Sequence, residues 1–108
     1  MPFFCLPIIP TLHKYLNERH PYMLENLIIG GADETSLKRN KNRKHISRLG
    51  LDIAIVDKHR KISGDLGESL GILGADRING NNVLFIEDIC STGGSLIEAS
   101  KAARNAGA

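Results

Sequence analysis

Val83-Leu84-Phe85-Ile86-Glu87-Asp88-Ile89-Cys90-Ser91-Thr92-Gly93-Gly94-Ser95 carries the strongest structural signal in the chain. Its four leading apolar residues do not alternate with polar ones. They predict a strand buried on both faces, as in the middle of a parallel sheet. Two carboxylates, Glu87 and Asp88, stand where such a strand leaves the sheet. A short loop of hydroxyl and glycine residues follows, and then a helical pattern from Leu96 to about Ala106. In doubly wound sheets the ligand crevice lies just outside the carboxyl ends of the strands, where this loop is expected.

Each residue type has a chemical use in that position. Gly93 and Gly94 let backbone approach a ligand closely. Successive loop amides, with the positive end of the next helix, form a cradle for phosphate. The hydroxyls of Ser91, Thr92 and Ser95 add donors around the same anion. Glu87 and Asp88 repel phosphate, but accept hydrogen bonds from a vicinal diol or hold a divalent cation. The combination fits a sugar phosphate better than a bare nucleotide phosphate. A purely structural reading is a glycine turn followed by a capping box of Ser95 and Glu98.

Working outward, Asn79-Gly80-Asn81 turns the chain into this strand. Before it, residues 61–82 contain Gly64, Gly67, Gly71, Gly74 and Gly80, a density that no apolar helical period survives. The expectation is a mobile loop with a short strand over Ser69 to Leu73, placed to act as a lid. Ile53-Ala54-Ile55-Val56 reads as a second buried strand, followed by Asp57-Lys58-His59-Arg60-Lys61. Cations directly after a strand face the same crevice, where phosphoryl chemistry needs them. Leu24 to Ile29 reads as the first buried strand, closed by Gly30-Gly31. Asp33 then stands at another carboxyl end, as a site residue or as a helix N-cap.

Between these strands Lys38, Arg39, Lys41, Arg43, Lys44 and Arg48 make a strongly basic run. It reads first as a solvated face, and secondarily as an anion or subunit contact. A helix opens at Pro10 and ends at His20-Pro21. Gly107 is a natural cap for the last helix, and Lys101 and Arg104 lie toward its negative end. The chain ends at Ala108, where another strand of an α/β domain is expected.

At 108 residues this is one domain at most, with no internal repeat. A formal charge of +2 gives no argument for a nucleic-acid partner. Cys5 and Cys90 have no metal-ligand spacing, so a reduced, cytoplasmic protein is the simplest reading. The apolar start, Met1 to Pro10, lacks basic residues, carries three prolines and is far too short to span a bilayer.

With both carboxyl-end segments in hand, the chain resembles ribose-phosphate diphosphokinase, the enzyme that makes 5-phosphoribosyl-1-diphosphate (PRPP). Glu87 to Ser95 resembles that family's ribose 5-phosphate motif, and Ile53 to Arg60 its strand and the start of its catalytic loop. The likeness runs from about Pro7 to Gly107 and covers most of the family's C-terminal domain, one of two related domains. It implies an α/β, Rossmann-like parallel sheet with flanking helices, a phosphoribosyltransferase type I fold in truncated form over residues 1–108. It also implies transfer of the β,γ-diphosphoryl group of ATP to the 1-hydroxyl of ribose 5-phosphate, with Mg2+, in nucleotide biosynthesis.

By the same likeness Lys58 is the catalytic lysine and Arg60 its partner, neutralising the transferring group. Ser91, Thr92, Gly93, Gly94 and Ser95 surround the 5-phosphate, and Glu87 and Asp88 hold the ribose hydroxyls. Asp33 matches an aspartate associated with magnesium. The family usually has Pro-Asp-x-Gly-Gly where this chain has Ala32-Asp33-Glu34-Thr35-Ser36, and Glu87 replaces the commoner aspartate. The complete protein is expected to be a homo-oligomer whose ATP site lies mainly in the other domain and a neighbouring subunit. This chain alone is therefore expected to be inactive. The alternatives are a PRPP-consuming phosphoribosyltransferase of the same fold and a non-catalytic ribose-phosphate-binding or regulatory paralogue.

Overall fold

The computed structural model describes residues 8–33, 42–65, 67–87 and 89–108. Its elements in chain order are α1 (Ile8–Arg19), β1 (Leu27–Gly31), α2 (Asn42–Arg48), β2 (Asp52–Gly64), β3 (Gly67–Leu73), β4 (Asn82–Phe85) and α3 (Gly94–Asn105). Short 3-10 turns at Pro21–Met23 and Ala75–Arg77 join α1 to β1 and β3 to β4.

The sheet has the order β3-β2-β1-β4. β1 is the fully buried centre and pairs in parallel with β2 and β4. β3 runs antiparallel to β2. Strand residues alternate between two cores, as the pleat requires. Ile28, Ala54, Val56 and Ile72 face α3, which offers Ala99 and Ala102. Leu27 and Ile29 face Ile9 and Leu16 of α1 and Ile46 of α2. Buried alanines on the inner face of α3, Ala99, Ala102 and Ala103, bring its backbone close to the sheet.

β4 departs from the expectation of a mid-sheet strand. Val83 and Phe85 pack on one core, Leu84 and Ile86 on the other, so both faces are covered as its sequence requires. Among the described residues, however, it pairs with β1 alone and stands at the sheet edge, half-buried. β1 is also displaced from its expected range, because residues 24–26 form a turn and both Gly30 and Gly31 belong to the strand. Gly30 fits there because a Cβ would lie 2.5 Å from the Phe85 ring and 2.9 Å from Val83 Cγ1. The empty space of glycine lets β1 and β4 pack.

Residues 61–82 are more ordered than a mobile loop. β2 continues through Gly64 and pairs with β3 as far as Gly64↔Gly67. Ladder pairing needs no apolar helical period, and Gly67, at φ +86°, supplies the left-handed conformation of the hairpin turn. Gly64 and Gly67 therefore end the strands at the turn, and Gly71 is accommodated within β3.

α3 starts two residues earlier than the apolar pattern suggests. Its N-cap is Gly93, left-handed at φ 82° and without a side-chain cap, so the Ser95–Glu98 capping box does not form. At the other end Ala108 N–H donates to the Ala103 carbonyl and Gly107 N–H to that of Arg104, both at 3.0 Å. This is a Schellman closure around a left-handed Gly107, as its sequence position predicts.

Candidate functional site

The parallel strands bring three segments to one edge. Gly31 is paired with Ile55 and Gly30 with Phe85. Asp33 and Glu87 each follow the end of their strand by two residues, and Lys58 lies within β2 three residues beyond Ile55. The Lys58 ammonium lies 3.6 Å from Asp33 Oδ2, with the two side chains 50% and 39% exposed. A half-exposed pair of this kind orients its partners but adds about 1 kcal/mol or less to stability.

Lys58, His59 and Arg60 form a bulge in β2. Asp57 is paired with Gly71 and Lys61 with Leu70, leaving the three intervening residues without partners on β3. Extra residues of this kind bend a strand and re-aim its side chains. The Asp57 carboxylate accepts the His59 N–H at 3.0 Å, which fixes the bend. Gly71 supports the same feature: a Cβ there would meet the Arg60 stem at 3.0–3.1 Å. Neither the bulge nor the part of Gly71 follows from apolar patterning. An aspartate two residues before His59 is the one local signal for the turn.

The turn before α3 is the third component. Thr92 Oγ1 accepts the Gly94 N–H at 3.3 Å, and the first helical bond runs from Ile97 N–H to the Gly93 carbonyl. The amides of Gly93, Ser95 and Leu96 thus precede the helical ladder and have no acceptor within it. With the positive end of a helix of twelve residues, they are suited to an anion. Ser91, Thr92, Gly94 and Ser95 are exposed, so a ligand has access.

Glu87 lies at the end of β4, and its Oε1 is buried without a hydrogen-bond partner among the described residues. A buried carboxylate oxygen without a donor is costly, and a sugar hydroxyl would supply one. Asp88 lies outside the described residues. So do Lys38, Arg39 and Lys41 of the basic run, while Lys44 and Arg48 are exposed on α2, as a solvated face requires. Cys90 is exposed and free.

No group of three or more metal-ligating residues occurs among the described residues. Asp33 alone is not a dedicated cation cage. Magnesium, however, is ordinarily held by one or two carboxylates together with substrate phosphates and water. One half-exposed carboxylate just past a strand end fits a cation of that kind. No described helix is long and apolar enough to cross a membrane.

Parallel core strands between helix layers, with an amide-lined turn after β4, are compatible with a truncated phosphoribosyltransferase-like α/β fold. No family model matches the chain. Curated relatives do. The ribose-phosphate pyrophosphokinase of Chlorobaculum tepidum is 35% identical over 83 residues, covering 77% of this chain and 24% of the relative. Ribose-phosphate pyrophosphokinase 1 of Listeria monocytogenes is 34% identical over 111 aligned positions, 98% of this chain and 33% of the relative. The Campylobacter jejuni enzyme is 34% identical over 99, covering 91% and 29%. The chain spans about a quarter to a third of the length of these relatives. It is homologous to that segment of ribose-phosphate pyrophosphokinase, an enzyme also called ribose-phosphate diphosphokinase.

Proposed function

We propose that this chain is the ribose 5-phosphate-binding segment of a ribose-phosphate pyrophosphokinase, and that alone it binds the sugar phosphate without making PRPP. One observation carries the reading. The amide-lined turn before α3 follows β4 in the chain, Glu87 just past β4 keeps an unsatisfied buried carboxylate oxygen, and β1 and β2, parallel to β4 and to each other through β1, lead to a lysine–aspartate pair.

In this reading Ser91, Thr92, Gly93, Gly94 and Ser95 receive the 5-phosphate. Glu87 and Asp88 accept hydrogen bonds from the ribose hydroxyls and so turn the 1-hydroxyl toward the donor. In the complete enzyme that oxygen attacks the β-phosphorus of ATP, the bond to the α-phosphate's bridging oxygen breaks, and AMP leaves. Lys58 and Arg60 neutralise charge as it develops on the transferring group. Asp33 is the residue that would hold Mg2+, which supplies charge neutralisation on the phosphates. The ATP site, a homo-oligomeric assembly and a cytoplasmic location are part of the proposal for the complete protein, and rest on the family likeness. The names of the relatives favour synthesis over consumption of PRPP.

Titration calorimetry tests the reading. Ribose 5-phosphate should bind the chain, ribose alone should not, and inorganic phosphate should bind more weakly. With ATP, ribose 5-phosphate and magnesium the chain should form no AMP. Equal affinity for ribose 5-phosphate and phosphate would remove the role of the carboxylates. AMP formation would overturn the claim of inactivity.

A further inference from the structure

Asn105 closes α3 at the end opposite the anion-binding turn, yet its side chain reaches the β2–β3 hairpin. Its Nδ2 donates to Ser69 Oγ at 2.7 Å and to the Gly67 carbonyl at 3.1 Å. A Cβ at Gly64 would sit 3.0 Å from Asn105 Oδ1, so glycine is what lets the strand pass so close. Ser69 is 4% exposed, buried although polar. Both donors therefore go to the part of the hairpin beyond the bulge that carries Lys58 and Arg60.

Apolar packing of Leu70 and Ile72 on α3 also holds the hairpin, but the ion pairs on and near it among the described residues are exposed or long. Lys58 Nζ at 3.6 Å from Asp33 is beyond hydrogen-bond length, and the Lys61–Glu68 bridge is well exposed. We infer that Asn105 is a positioning residue: it clamps the hairpin to α3, so that one helix sets both the anion-binding turn at its start and the cationic bulge. The inference rests on the proposed function only for the roles of Lys58 and Arg60.

Hydrogen exchange and NMR on the intact chain test it without any ligand, so failure to bind a sugar phosphate leaves the test unaffected. Asn105→Ala removes the clamp, and Asn105→Asp keeps the volume while losing both donors. Each should speed exchange of the hydrogen-bonded ladder amides between Lys61–Gly64 and Gly67–Leu70 by about tenfold, the loss expected for two modest hydrogen bonds. The β1 amides should keep their rates. The His59 amide, which reports the bulge through Asp57, should shift in both variants. Ser69→Ala should reproduce the effect in milder form and serves as the test if Asn105 variants do not fold. Unchanged hairpin exchange in Asn105→Asp, or faster exchange with an unmoved His59 resonance, would overturn the positioning role.

Discussion

Replacing Gly30 with alanine should destabilise the fold through a single overlap. The new methyl carbon would stand 2.5 and 2.6 Å from two carbons of the Phe85 ring and 2.9 Å from Val83 Cγ1. Carbon atoms in contact ordinarily lie about 3.5–4.0 Å apart, so the ring must retreat by roughly 1 Å. β1 cannot yield instead, because hydrogen-bond ladders hold it on both sides. Overpacking of this kind costs about 1–3 kcal/mol. The narrower unfolded ensemble of alanine returns about 0.4–1 kcal/mol, leaving a net loss of about 1–2 kcal/mol. In a domain of this size each kcal/mol lowers the thermal midpoint by roughly 4–8 °C.

Urea unfolding of the Gly30→Ala chain should show a lower midpoint with an unchanged slope. Phe85→Leu should relieve the overlap, so the double variant should be more stable than the sum of the two singles by about 0.5 kcal/mol or more. A Gly30→Ala chain as stable as the parent, or strict additivity with Phe85→Leu, would refute the close packing of β1 on β4.

Other substitutions separate stability from binding. Ile78, fully buried at the end of the turn before β4, should cost about 2–5 kcal/mol as Ile78→Ala in the same urea assay. Lys58→Ala should change stability by less than about 1 kcal/mol because its pair with Asp33 is half-exposed; a loss above about 2 kcal/mol would show a buried structural role. Glu87→Gln keeps the shape at Oε1 and drops the charge. It should leave stability unchanged or raised while weakening ribose 5-phosphate binding about tenfold by calorimetry, the loss of a charge-assisted bond. Unaltered affinity would exclude Glu87 from the diol site.

What was legible in the sequence, and what was not, follows from the range of the forces involved. The unbroken apolar run at Val83 to Ile86 announced a strand covered on both faces, and it is. Its place at the sheet edge depends on strand order, which no local pattern encodes. Gly107 was readable as a helix end because a left-handed cap is a local demand. Gly30, Gly64 and Gly71 were not, because each is glycine on account of a distant side chain: Phe85, Asn105 and Arg60 respectively. The same density of glycine suggested a loop where a hairpin stands.

For the site, the acids, hydroxyls and cations could be named from residue type and position after a strand. That Asp33 and Lys58 meet required the parallel pairing of β1 with β2. That Lys58 and Arg60 lie in a bulge required the register of β3. Asn105 carried no signal, since an asparagine at a helix end is ordinary.

The most direct measurement is an amide-resolved NMR titration of the chain with ribose 5-phosphate. Saturable shifts are expected at Gly93, Gly94, Ser95 and Leu96, followed by Glu87, with α2 unmoved. Saturation with those amides still, or shifts centred on Lys44 and Arg48, would contradict the claim that the turn before α3 holds the phosphate.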